Sequence, residues 1–201
     1  MNIIIQMIIA YLLGSIPSGV WIGQAFFNKD IREYGSGNTG ATNTFRILGP
    51  KAGTVALIAD VLKGFIATFI PIYFGTDIHP VFIGIFAILG HIYPIYIKFK
   101  GGKAVATTAG VFLAIHPVYV SIFIGVFLAI LLTTSTVSIA SMGAMLLAAI
   151  FSFLLDDPIM GIAIWALALI IVYLHRENLT RIKKGVESRV PFGLRSTKKD
   201  N

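Results

Sequence analysis

Seven apolar runs alternate with short polar breaks along this chain of 201 residues. They lie at 2–23, 52–74, 80–97, 104–115, 118–132, 139–155 and 159–174. A helix rising 1.5 Å per residue needs about 20 apolar residues to cross roughly 30 Å of hydrocarbon. The pattern therefore predicts an all-α polytopic membrane protein, a single integral membrane domain over 1–201 built as a bundle of seven transmembrane helices. The run at 104–115 is too short for a full crossing on its own. Five spans are the alternative, with 104–132 as one long kinked helix and the next run not crossing. In the first run, Pro17 with Gly14, Ser15, Ser18 and Gly19 suits a kinked, closely packed helix. That run has no basic stretch ahead of it, so it reads as a retained span rather than a cleaved signal peptide. Residues 194–201 read as a flexible basic tail.

Charge orients the bundle. Residues are 56% hydrophobic and only 12% charged, which excludes an ordinary soluble domain. Apart from Lys63, every Lys and Arg falls at 29–51, 98–103 or 176–199. Basic loops stay in the cytoplasm. The N-terminus is then expected outside and the C-terminus inside. The base-free breaks at 75–79 and 156–157 fall outside, and an odd number of crossings satisfies the pattern. One membrane face thus gathers nearly all the polar chemistry. The net charge is +7. Because the bases flank apolar runs, membrane lipid headgroups and phosphorylated substrates fit better than nucleic acid. There is no cysteine, which excludes thiolate nucleophiles and disulfides. The four histidines show no metal-ligand spacing, so neither a metal nor a cofactor is expected.

Three segments carry candidate chemistry. The first is Ser36-Gly37-Asn38-Thr39-Gly40-Ala41-Thr42-Asn43, continuing to Arg46. Glycines let backbone N–H groups approach an anion, hydroxyls and amides add donors, and Arg46 offers a bidentate contact to phosphate. An ordinary flexible loop is also glycine-rich, but this density of donors beside a span favours an oxyanion cradle at a helix start. The second is Gly101-Gly102-Lys103, leading through Ala104 to Thr107 at a helix start, again suited to an anion. It is not a Walker A loop, because Ile97 stands where Gly is needed and Ala104 where Ser or Thr would be. The third is His175, Asn178 and Arg181 at three-residue intervals, with Glu187 beyond. These three share a helix face, His175 can accept a proton near neutral pH, and Glu187 can pair with a nearby base. Ser138 and Ser141, in the hydroxyl-rich break at 133–141, lie on the same inner side and can reach the site. Helix capping accounts for most of the other hydroxyls there. Asp60 and Lys63 sit within an apolar run at i, i+3 and read as a mutual ion pair. His91 reads as a packing residue.

Taken together, the three segments resemble the PlsY family of bacterial acyl-phosphate:glycerol-3-phosphate acyltransferases. The resemblance rests on the Ser36–Asn43 stretch with Arg46, on 101–107, and on His175, Asn178, Arg181, Gly185 and Glu187. It implies transfer of a fatty acyl group from acyl phosphate to the 1-hydroxyl of glycerol 3-phosphate, giving lysophosphatidic acid and phosphate in phospholipid synthesis. Acyl phosphate is already activated, so direct attack by the hydroxyl suffices and no covalent enzyme nucleophile is needed. The expected catalytic residues are Ser36, Arg46, Lys103, His175 and Asn178. Expected substrate contacts are Gly37, Asn38, Thr39, Gly40, Thr42, Asn43, Gly101, Gly102, Thr107, Ser141, Arg181 and Glu187. The H-x-x-x-x-D signature of other glycerolipid acyltransferases is absent. A small anion or organophosphate transporter is the alternative from another class. It would need polar groups on both sides of the midplane, and only Asp60 and Lys63 lie deep.

Overall fold

The computed structural model describes residues 1–196, and no strand occurs among them. The chain divides into two compact units, Met1–Pro117 and Val118–Asn201. In the first, α1 (Ile3–Gly14), α2 (Ser18–Phe27), α3 (Ala41–Tyr73), α4 (Pro80–Ile92) and α5 (Val105–Leu113) succeed one another. Helix α3 is the centre of this unit and packs against each of the other four, while α1 also packs on α4. The first apolar run is broken as expected. Helices α1 and α2 meet at a bend of 44° around Pro17, whose ring cannot continue the hydrogen-bond ladder. Helix α3 starts earlier than the apolar run does. It begins at Ala41 and turns at Gly49, whose φ of 84° is left-handed, so Thr42 to Arg46 are helical rather than loop.

Small residues let α5 approach α3 closely. A Cβ at Gly64 would lie 2.2 Å from the Thr107 carbonyl oxygen, and one at Gly110 would lie 2.0 Å from that of Val61. In an apolar solvent such contact replaces the hydrophobic drive between helices.

The second unit comprises α6 (Pro117–Thr134), which opens at the boundary, α7 (Val137–Phe151), α8 (Pro158–Leu174) and α9 (Arg176–Lys183). Helix α7 packs on α8. The Tyr119 hydroxyl donates to the Ala148 carbonyl and ties α6 to α7. Asp157 caps α8, its Oδ1 accepting from the Met160 amide at 2.9 Å, with Pro158 at the first helical position. Helices α8 and α9 meet at 55°.

Four helices among the described residues are long and apolar enough to span a membrane, or six if each bent pair counts as one span. The expected seven is not reached. Helix α5 has nine residues and rises about 14 Å, roughly half the hydrocarbon thickness. The alternative single helix over 104–132 is not found either, because α5 ends at Leu113 and α6 opens at Pro117. Within the expected flexible tail, the Leu194 amide donates to the Leu132 carbonyl at 2.7 Å and the Arg195 amide to Ser135 Oγ at 3.2 Å. Positions 197–201 of that tail lie outside the described residues.

Gly64→Ala and Gly110→Ala should each lower stability by about 2 kcal/mol, because the added methyl meets rigid backbone. Gly125→Ala, with open space around it, should be neutral or slightly stabilising. Thermal unfolding of the purified protein in detergent checks the contrast.

Candidate active site

In the first polar segment some donors hold the loop and others face solvent. Asn43 is buried. Its Nδ2 donates to the carbonyls of Ile31 at 2.8 Å and Tyr34 at 3.2 Å, and its Oδ1 accepts from the Ser36 amide at 3.1 Å. Asn38 Oδ1 accepts from the Gly40 amide at 2.9 Å. Gly35 and Gly37 take left-handed φ values of 63° and 68°, which glycine adopts without strain. Ahead of the loop, hydrogen bonding to Arg32 holds the Asp30 carboxyl below its ordinary value, against the opposing effect of burial. Ser36, Gly37, Thr42 and Arg46 are exposed, and no side chain caps the start of α3 at Gly40. Its orphan amides and Arg46 therefore stand on the same two turns, an arrangement suited to an anion.

The second segment is arranged differently from the expectation. The Gly101 and Gly102 amides donate to the carbonyls of Ile92 at 3.1 Å and His91 at 3.0 Å, closing the end of α4. The uncapped amides lie one step further on, at the start of α5, where Ala104 provides no side-chain cap. Lys98, Phe99 and Ala104 all have left-handed φ, between 56° and 60°. Each costs on the order of 1 kcal/mol in a non-glycine residue, so packing must hold this loop. Lys103 is partly exposed. Thr107 is fully buried, with its Oγ1 3.1 Å from His91 Nδ1.

Beneath these loops lies a buried polar cluster. Lys63 Nζ is 2.8 Å from Asp60 Oδ1 and donates to the Ile16 carbonyl at 2.9 Å, in the break between α1 and α2. Ser18 Oγ donates to Asp60 Oδ1 at 3.1 Å, and His91 Nδ1 lies 3.7 Å from the same oxygen. A small cavity is lined by Ser15, Ser18, Asp60, Lys63, His91 and also by Thr39 and Pro94. The first polar loop and the loop after α4 thus approach each other over this cluster. The ion pair was legible from its spacing. The contributions of Ser18 and of the Ile16 carbonyl were not, because they depend on the α1–α2 break turning toward α3. The available signal was that a charge pair in an apolar run needs further hydrogen-bond partners.

In the second unit, Glu187 organises the third segment. Its Oε1 accepts from Asn178 Nδ2 at 2.6 Å and from Ser138 Oγ at 2.8 Å, and its Oε2 accepts from Arg181 Nε at 2.7 Å. Burial pushes the Glu187 carboxyl up. The bonds from Asn178, Arg181 and Ser138 outweigh this and hold it below its ordinary value of 4.5. His175 is 4% exposed and stands at the α8–α9 bend, with Nδ1 2.8 Å from the Ile171 carbonyl. A carbonyl only accepts, so Nδ1 carries a proton, and in the neutral ring Nε2 is the basic nitrogen. Asn178 and Arg181 share one face of α9, as the three-residue spacing required. Ser141 is buried on α7. Among the described residues, no group of three His, Asp or Glu side chains is placed to hold a metal.

Comparison with known proteins gives consistent matches. The family model for glycerol-3-phosphate acyltransferase matches residues 4–185. A glycerol-3-phosphate acyltransferase of Streptococcus thermophilus is 47% identical over 210 residues, covering 100% of this chain and 99% of its own. One from Enterococcus faecalis is 49% identical over 209 residues, covering 98% and 96%. Among solved structures, the chain resembles PlsY, an integral membrane glycerol 3-phosphate acyltransferase, in its glycerol 3-phosphate form. The TM-score is 0.87 at 40% identity, covering 93% of this chain and 94% of that one. The lysophosphatidic acid form matches with a TM-score of 0.83 at 39% identity, covering 92% and 94%.

Because the folded pKa of Glu187 lies below its unfolded one, its contribution is present above pH 4.5 and disappears as pH falls through the folded value. Thermal unfolding followed from pH 7 downward should show this loss, and Glu187→Gln should flatten it. At pH 7, Glu187→Gln should cost about 1–3 kcal/mol, since three donors lose a charged acceptor.

Proposed function

This chain belongs to the glycerol-3-phosphate acyltransferase family, and from that membership we propose that it moves a fatty acyl group from acyl phosphate to the 1-hydroxyl of glycerol 3-phosphate. The products are lysophosphatidic acid and inorganic phosphate, at an early step of phospholipid synthesis. The observation that carries the reading is a pair of uncapped helix starts in the first unit. One, at Gly40, is followed by Arg46, and the other, at Ala104, is preceded by Lys103. Both reactants are phosphorylated, so the reaction calls for two anion sites. Helix starts with a nearby base supply them through backbone amides, dipole and charge together.

In this proposal Lys103 and the start of α5 hold the phosphate of glycerol 3-phosphate. Ser36, Gly37, Thr42 and Arg46 hold the acyl-phosphate head of the donor. The hydroxyl oxygen attacks the acyl carbon, the bond from that carbon to the phosphate oxygen breaks, and phosphate leaves. Donors aimed at the developing oxyanion lower the barrier. His175 and Asn178 orient the hydroxyl or bind phosphate, and the proton passes either to His175 Nε2 or to a substrate phosphate oxygen. Glu187 holds Asn178 and Arg181 in place. Thr107 and Asn43 support the loops through the bonds described above rather than presenting donors to solvent, and Asn38 uses its Oδ1 on the Gly40 amide.

The active site faces the cytoplasm of a bacterial inner membrane, with the N-terminus outside and the C-terminus inside, which requires an odd number of crossings, five if one of the two bent pairs spans the membrane. The distribution of basic loops supports this. The acyl chain lies in lipid or against apolar helix faces. An organophosphate transporter is disfavoured by the family membership and by the Asp60–Lys63 pair, whose charges are met by each other and by Ser18 and the Ile16 carbonyl.

Phosphate release by purified protein supplied with acyl phosphate and glycerol 3-phosphate tests the proposal. Acyl-CoA should not replace acyl phosphate as donor. Lys103→Ala and Arg46→Ala should each cut kcat/KM about 100-fold, the scale of one lost charge-assisted phosphate contact. Near-normal turnover in both variants, or flux of glycerol 3-phosphate without chemistry, would reject it.

A further inference from the structure

The Gly-Gly-Lys turn is not rigid by its own composition. Two glycines allow many conformations, and three residues around them hold left-handed φ values at a cost. Something outside the turn must select this one. His91 is the side chain placed to do so. It is 7% exposed and stands at the end of α4, immediately before the loop that carries Lys103.

Three contacts converge on it. Its carbonyl accepts from the Gly102 amide at 3.0 Å. Its ring Nδ1 lies 3.1 Å from Thr107 Oγ1, on the first turn of α5. The other ring nitrogen faces Gly102 so closely that a Cβ there would lie 2.2 Å from Nε2. Asp60 Oδ1 lies 3.7 Å from the same Nδ1, and Asp60 is itself fixed by Lys63 and Ser18. The ring thus touches the turn on one side of Lys103 and the helix start on the other.

We propose that His91 is a positioning residue for the Gly101-Gly102-Lys103 turn, setting where Lys103 and the α5 helix start stand for phosphate binding. The glycine at 102 is then explained by the ring rather than by the ligand, because only a residue without Cβ fits against Nε2. The proposal rests on the assignment of Lys103 to glycerol 3-phosphate, and the test separates the two.

The test measures kcat and KM for glycerol 3-phosphate in the purified protein and in five variants. His91→Leu keeps the bulk but loses both nitrogens, and His91→Asn can keep a polar atom where Nδ1 stood. The expected result is a KM raised at least tenfold in His91→Leu with kcat within threefold, and a KM within threefold of the native value in His91→Asn. Gly102→Ala should raise KM as well, and the double variant Gly102→Ala/His91→Ala should recover part of that loss by removing the atom the methyl strikes. This cycle carries the test even if His91→Leu does not fold. A native KM in His91→Leu, equal losses of kcat in the Leu and Asn variants, or no recovery in the double variant would overturn the proposal. Lys103→Ala is the control for the underlying assignment. If its KM is unchanged, Lys103 does not hold glycerol 3-phosphate. If its KM rises while the His91 and Gly102 variants behave as native, only the positioning role fails.

Discussion

A carboxylate and an ammonium buried in an apolar bundle are stable only together and only with further partners. Asp60 and Lys63 meet that demand by drawing Ser18, the Ile16 carbonyl and His91 toward α3. These partners belong to two different pieces of backbone. Ile16 lies in the break between α1 and α2 and Ser18 opens α2, while His91 is in the last turn of α4. One ion pair therefore fixes the places where two helices stop, and the loops that leave those places carry the candidate chemistry. The pair costs desolvation, and what it returns is the location of the helix ends.

Much of the polar composition is spent on structure so that a few groups can remain available. Asn43 uses both ends of its amide to hold the 31–36 turn, and the Gly101 and Gly102 amides close α4. Glu187 uses both oxygens on three donors. What is left facing outward in the first unit is Ser36, Thr42, Arg46 and two uncapped helix starts. This division explains why donor-rich segments here are so dense: a short loop beside a membrane has few apolar contacts to order it, so hydrogen bonds must.

Helix class, the broken first run, the Asp60–Lys63 pair and the Asn178–Arg181 face were all legible in the sequence, because each follows from spacing along one element. The segments that carry the family resemblance were legible too. What sequence spacing could not supply was the use to which each donor is put. Gly101 and Gly102 look like ligand-binding glycines until the carbonyls of Ile92 and His91 are seen opposite their amides. His91 looked like a packing residue because its neighbours, Asp60, Thr107 and Gly102, come from three stretches of chain. The expected seven spans are not matched, and α5 is where the count falls short, for a related reason. Apolar residues at 104–115 pack against the small residues of α3, and hydropathy does not distinguish that surface from lipid.

The chain from Glu187 to Arg195 is laced to the corner between α6 and α7. Val190 donates to the Ser135 carbonyl at 2.8 Å, Leu194 and Arg195 follow at Leu132 and Ser135, and Glu187 itself meets Ser138. This segment, whose last residues composition marks as the start of a flexible tail, is the seal over otherwise bare carbonyls at a helix end. Fusion partners, affinity tags or truncations brought closer than Arg195 would unpick that seam, and any redesign of this end has to begin beyond it.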